Sequence, residues 1–202
     1  MSSDPASASP LDKDLLFDAV DLVGNVGSHR RVERTLTAPA REIGGLAMQV
    51  PEGEELAVEI ELESVVEGVY VHGTVTAHLE GECSRCLDPV EQDVAPRLDE
   101  LYMFSEKVKA DEREDTTMLT GDDVDLGPLV RDALAMAAVE RPLCREDCPG
   151  LCGQCGFRME DDPEHHHDVI DDRFAALQGL FDESSEPAAS EGQDAPTEGE
   201  GR

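Results

Sequence analysis

Tryptophan is absent from this chain of 202 residues, and all aromatics together make up only 3% of it. Any core must therefore be aliphatic. Positive charge is the second scarcity. Sixteen Lys and Arg stand against 47 Asp and Glu, giving a formal net charge of −31. A surface so negative repels phosphate backbones, and counterion release cannot drive nucleic-acid binding of the usual kind. The same sign disfavours anionic membranes. It attracts a strongly basic partner, such as a ribosomal protein, although acidity that serves only solubility is the plainer alternative. No apolar run approaches the length of a membrane span, and the first ten residues hold neither a basic n-region nor an apolar h-region. A cytoplasmic protein is the expectation.

Catalytic signatures are missing too. There is no Gly-x-Ser-x-Gly, no phosphate-binding Walker loop, no dinucleotide fingerprint and no His-Glu-x-x-His. The acidic run Asp111-Glu112-Arg113-Glu114-Asp115 is too crowded with like charge to act as a catalytic pair. A protein without enzymatic activity is predicted.

What the chain does have is six cysteines in two groups. Cys83-Ser-Arg-Cys86 is one pair, and Cys144, Cys148, Cys152 and Cys155 form the run CREDCPGLCGQCG. In a reducing compartment such spacings point to metal ligands before disulfides. Two cysteines separated by two residues can turn both sulfurs toward one ion, and Gly156 leaves room for backbone amides to approach those sulfurs. Zinc held by four converging thiolates is the leading expectation. An iron–sulfur cluster stays open, because thiolates suit both. Cys148-x3-Cys152-x2-Cys155 has the spacing of radical enzymes that use S-adenosylmethionine, but the 47 residues after Cys155 cannot build their barrel.

The preferred first site is Cys83, Cys86, Cys144 and Cys148. That choice leaves Cys152 and Cys155 to pair with His165 and His167, alternate members of a three-histidine run. A single site of Cys83, Cys86, Cys152 and Cys155 is the rival, and a solvated turn among Asp161, Asp162, Pro163 and Asp168 is the plain alternative for the histidines. Cys152-Gly-Gln-Cys155 as a thiol oxidoreductase lacks the strand-to-helix placement such a motif needs.

The fold class expected is α+β: an antiparallel sheet, a C-terminal helix and a cysteine-rich metal-binding segment. Leu56, Val58, Ile60 and Leu62 alternate with acidic or small residues, as in a strand with one wet face. After Glu67-Gly68 the alternation resumes from Val69 to Leu79, so the two runs make a hairpin whose end carries Cys83 and Cys86. His72 and His78 fall on its polar face, and Gly44-Gly45 reads as a turn. Further strands are expected at residues 14–20, 30–38 and 90–104, the last broken at Pro96, with a surface loop over 105–123. Leu126, Leu129, Val130, Ala133, Leu134 and Ala137 recur at helical spacing behind Asp125 as N-cap, and Pro142 ends that helix. Packing the helix on the hairpin would bring the two cysteine groups near each other. A short helix over about 172–182 would bury Phe174, Leu177 and Phe181. Residues 1–10 and 183–202 are Ser-, Ala-, Pro- and Glu-rich and should be disordered, leaving one domain over 11–182.

Three elements together resemble the bacterial YceD family, which is linked to accumulation of large-subunit ribosomal RNA. They are GECSRCLDPV at 81–90, the helix 126–140 running into ERPLCREDCPGLCGQCG at 140–156, and IDDRFAALQGL at 170–180, where Asp172 replaces a proline of the family pattern. The resemblance implies a small cytosolic protein with no assigned catalytic activity and a role in ribosome biogenesis. In members without the histidine run a short Cys-x-Cys occupies its place, which implies metal ligation by His165 and His167. Charge refines the expectation: a chain at −31 binds a basic ribosomal protein or an assembly factor rather than ribosomal RNA. The competing expectation is an RNA-binding zinc ribbon, for which Arg30, Arg31 and Arg34 are the notable basic cluster.

Overall fold

The structure is a computed structural model, and it describes residues 13–39, 43–109, 113 and 116–167. The tails at 1–10 and 183–202, the short helix at 172–182, the motif at 170–180 and most of the acidic run at 111–115 lie outside the described residues. The chain divides into two compact units, Met1–Pro163 and Glu164–Arg202. The fold that follows is that of the first.

Eight strands and a helix occur in the order β1 (Leu16–Asp18), β2 (His29–Thr37), β3 (Met48–Gln49), β4 (Glu55–Ser64), β5 (Gly68–Glu82), β6 (Pro89–Val94), β7 (Arg97–Met103), β8 (Asp123–Asp125) and α1 (Gly127–Ala137). The expected hairpin is β4–β5. It runs antiparallel from Ser64↔Val69 to Ala57↔Thr76, and Val65 N donates to Gly68 O at 2.9 Å across the turn. Because side chains alternate across a strand, Leu56, Val58, Ile60 and Leu62 all face inward, with Val69, Val71, Val75 and Leu79 beside them. Each is at most 2% exposed, so each contributes about 1.5–3 kcal/mol of transfer free energy.

β5 is the spine of a six-stranded sheet. β4 and then β2 lie on it, β3 pairs near its end, and β6 and β7 both pair with it. β6 and β7 are the two parts of the predicted strand at 90–104, and the break comes at Pro96 as expected; its carbonyl accepts the Val75 N–H at 3.2 Å. The Gly44-Gly45 turn also forms, with Gly45 N donating to Met48 O at 2.8 Å. The polar stretch expected as loop ends in a strand instead. β8 pairs with β1 as a separate two-stranded sheet, and the Tyr102 hydroxyl donates to Asp125 O at 2.8 Å to tie β7 to it.

Leu126, Val130 and Leu134 are buried on the inner side of α1, and Leu129, Ala133 and Ala137 pack against the same core. Asp125 still contributes at the helix start, since its Oδ1 accepts the Gly127 N–H at 2.9 Å, but the cap position belongs to Leu126. The helix stops at Ala137, well before Pro142. Gln92 of β6 meets the backbone where it leaves the helix. Its amide donates to Ala137 O at 3.2 Å and its carbonyl accepts Val139 N–H at 3.2 Å, satisfying groups that another helical turn would otherwise claim.

Candidate metal centre

β5 delivers the chain into a tight turn. Cys83 N donates to Asp88 O at 2.7 Å, and Leu87 N donates to Cys83 O at 3.0 Å. Closing this turn puts Leu87 at φ 62, a left-handed conformation that costs a residue with a Cβ about 1–2 kcal/mol. Both sulfurs are thereby held in the interior, with Cys83 at 0% and Cys86 at 8% exposure.

The segment after α1 is laid against this turn by backbone bonds. Ser84 N donates to Pro142 O at 2.8 Å and Leu151 N donates to Arg85 O at 2.9 Å. The Arg85 guanidinium donates to Cys148 O at 2.8 Å. Cys144 and Cys148 consequently meet the first pair. Cys83 Sγ lies 3.8 Å from Cys148 Sγ, Cys86 Sγ lies 3.5 Å from Cys144 Sγ, and all four sulfurs are within 4.8 Å of one another. These separations far exceed a disulfide bond of about 2.05 Å. They match the roughly 3.8 Å between sulfurs that each sit about 2.3 Å from one tetrahedral ion. The group could hold a metal ion, and it is built from the nearer half of the C-terminal run; Cys152 and Cys155 are not part of it.

The thiols of this group differ in how their surroundings treat the charged form. Burial opposes ionisation of Cys83, yet backbone N–H groups of Cys144, Cys86 and Arg85 aim at its sulfur and bring its pKa down to about 6. At Cys86 the Asp88 N–H favours the thiolate, but burial and the neighbouring sulfurs outweigh it and push the thiol up. Four thiolates this close repel one another. A divalent cation removes the repulsion and allows all four to deprotonate together.

Asp88 closes the turn from outside. Its two oxygens accept Nη1 and Nη2 of Arg158 at 2.8 and 2.6 Å, a bidentate pair. That guanidinium, helped by the Cys86 thiol, lowers the Asp88 carboxyl to about 2.

Arg158 belongs to a second turn, bridged at Leu151↔Arg158, that holds Cys152 and Cys155. Cys152 N donates to Phe157 O at 2.7 Å and Gly156 N donates to Cys152 O at 2.9 Å. These are the same two bonds, at the same offsets, as in the first turn. Gly156 takes the left-handed position at φ 72. Backbone N–H groups of Gln154 and Cys155 lower the Cys152 thiol. In the second unit, His165 and His167 bring their Nε2 atoms to 3.0 Å, with ring centroids 4.7 Å apart.

Arg85, Asp88 and Arg158 were not expected as site residues. Asp88 and Arg158 are 70 positions apart, and no local pattern announces their pairing.

Residues 71–181 match the family described as Large ribosomal RNA subunit accumulation protein YceD. A protein of Mycobacterium tuberculosis is 34% identical over 189 residues, covering 93% of this chain and 91% of the relative. One of Mycobacterium leprae is 34% identical over 170 residues, covering 83% and 77%. The chain belongs to the YceD family. Membership suggests a role in accumulation of large-subunit ribosomal RNA. The matched stretch contains both YceD cysteine groups and the histidine run. No solved structure matches the chain, and among the described residues no helix is long and apolar enough to cross a membrane.

Proposed function

We propose that this YceD protein is a zinc-binding, non-catalytic, cytoplasmic factor that supports large-subunit ribosome assembly by holding a basic ribosomal protein or assembly factor. The observation that carries the metal assignment is the set of four sulfurs within 4.8 Å of one another. A four-iron cluster places each thiolate on a different iron and needs its sulfurs farther apart, whereas one zinc ion draws four together. Cys152, Cys155, His165 and His167 form a second zinc set in this reading. It is supported by the duplicate turn around Cys152 and Cys155, by the adjacent Nε2 atoms of the two histidines, and by a tether of only nine residues between Cys155 and His165.

Charge supports a protein partner over RNA. Arg30 pairs with Asp21 at 2.9 Å, Arg31 with Glu33 at 2.9 Å, and Arg34 lies over the Phe17 ring at 5.7 Å. The basic cluster that an RNA-binding ribbon requires is thus engaged within the chain.

Elemental analysis of anaerobically purified protein tests the metal: zinc with no visible-range absorbance is expected, and iron with acid-labile sulfide overturns it. Titration against deproteinised ribosomal RNA and, separately, against extracted large-subunit proteins tests the partner. Tight binding to the naked RNA at roughly 150 mM salt, with none to the proteins, overturns the indirect role.

A further inference from the structure

The strand register stacks charge on the solvent face of the six-stranded sheet. Three cross-strand rows define that face: His29–Glu63–Tyr70–Leu101, Arg31–Glu61–His72–Asp99 and Glu33–Glu59–Thr74–Arg97. They hold five carboxylates and two guanidinium groups. Toward the end of β5 the face continues with His78 opposite Asp93 and Glu80 opposite Glu91. Two of these directly opposed pairs, Glu33↔Glu59 and Glu80↔Glu91, are like charges, an arrangement that destabilises a sheet. The two guanidiniums are already committed. Arg31 lies 2.9 Å from Glu33 and 3.6 Å from Glu59, and Arg97 lies 3.9 Å from Asp99. Among the described residues, Glu61 and Glu63 have no ion-pair partner. Solubility alone asks for scattered charge, not for carboxylates aligned in register on one face.

We propose that this face is the docking surface for an extended, lysine- or arginine-rich polypeptide segment. The inference rests on the protein-partner reading above and names its surface. Glu59, Glu61 and Glu63 project at alternate positions of β4, a repeat of about 6.8 Å. An extended basic segment lying along β4 presents its own alternate side chains at that same repeat. A shallow hollow of about 220 Å³, lined by Arg31, Glu59, Glu61, His72, Gly73 and Thr74, opens beside the stripe and gives one long basic side chain a place to enter. A nucleic-acid strand is repelled by the same stripe. With few apolar groups on the face, the contact draws its partner quickly and releases it as salt rises.

Two variants of the full chain separate this face from net charge. One carries Glu59→Gln, Glu61→Gln and Glu63→Gln. The other carries Glu52→Gln, Glu106→Gln and Glu140→Gln, three exposed carboxylates off the face. Both are titrated against a synthetic peptide alternating arginine and serine, and against extracted large-subunit proteins. The face variant is expected to bind both probes about tenfold more weakly than wild type, as loss of several facing charge pairs implies, with the control within about twofold. Equal weakening by both variants, or by neither, overturns the face while the partner reading stands. If wild type takes the peptide through the face but ignores the extract, the face is supported and the ribosomal-partner reading fails. Wild type that binds no basic peptide overturns the face directly.

Discussion

Two Cys-x-x-Cys turns in one chain share a backbone and differ in what surrounds it. In each, the first cysteine's N–H reaches the carbonyl five residues on, and the N–H of the residue four on returns to the first cysteine's carbonyl. In each, the residue after the second cysteine is left-handed, but it is Leu87 in one and Gly156 in the other. The turn at Cys83 has both its thiols buried beside the buried Cys148, with Cys144 exposed at the rim, whereas Cys152 is half-buried and Cys155 exposed. Backbone geometry therefore orients two thiols for an ion without deciding whether the ion supports the fold. Burial among the other elements decides that.

The sharpest break in the comparison is Cys86→Ser. If the first set ties the segment after α1 to the hairpin, ion binding is folding free energy, on the order of several kcal/mol. The variant should melt far below wild type and should no longer respond to chelator. An unchanged melting curve would show the thiols incidental to the fold. Cys155→Ser should cost less: one equivalent of zinc lost by elemental analysis, with a small shift in melting temperature, because the turn it sits in is at the surface. Equal shifts for the two variants would erase the distinction between the turns.

Asp88→Asn comes next, since it removes the bidentate clasp by which the first turn holds Arg158 of the second. The Asp88 carboxyl is lowered in the folded protein to about 2, against an ordinary value of about 3.9. Its contribution is therefore complete above pH about 4 and disappears as pH falls through about 2. A carboxyl-detected NMR titration should find its midpoint near 2, and a midpoint at the ordinary value would remove Arg158 from the account. At neutral pH the variant should unfold at lower denaturant concentration than wild type.

The smallest effect lies at the left-handed positions. No atom lies within 4 Å of a Cβ built on Gly156, so Gly156→Ala reads conformational strain alone, about 1–2 kcal/mol of destabilisation. The converse change, Leu87→Gly, releases the same strain against the greater unfolded-state freedom of glycine, for a net gain of up to about 1 kcal/mol. Urea unfolding measures both. A stabilising Gly156→Ala would show that the shared hydrogen bonds do not require the conformation.

Much of this was legible beforehand because it is local. Alternation placed the β4–β5 hairpin to within a few residues, and the spacing of Leu126, Val130 and Leu134 placed the buried side of α1. Cys-x-x-Cys implied two thiols on one side of a turn. What escaped depends on partners distant in sequence. The end of α1 meets Gln92, 45 positions away, and β8, three residues long and without a pattern of its own, needs β1. The left-handed Leu87 had no glycine to advertise it.

The amino-acid sequence by itself determined the inventory: six thiols at short spacings, an aliphatic core and a large excess of carboxylate. These follow from composition and from periods of two and 3.6 residues, which each segment carries within itself. The tertiary structure alone decided that Cys144 and Cys148, not Cys152 and Cys155, converge on Cys83 and Cys86. It alone clasped Asp88 to Arg158 and set Glu33 opposite Glu59. Those contacts join positions tens of residues apart, and only strand register and helix packing, driven by burial of the shared apolar face, bring such positions together.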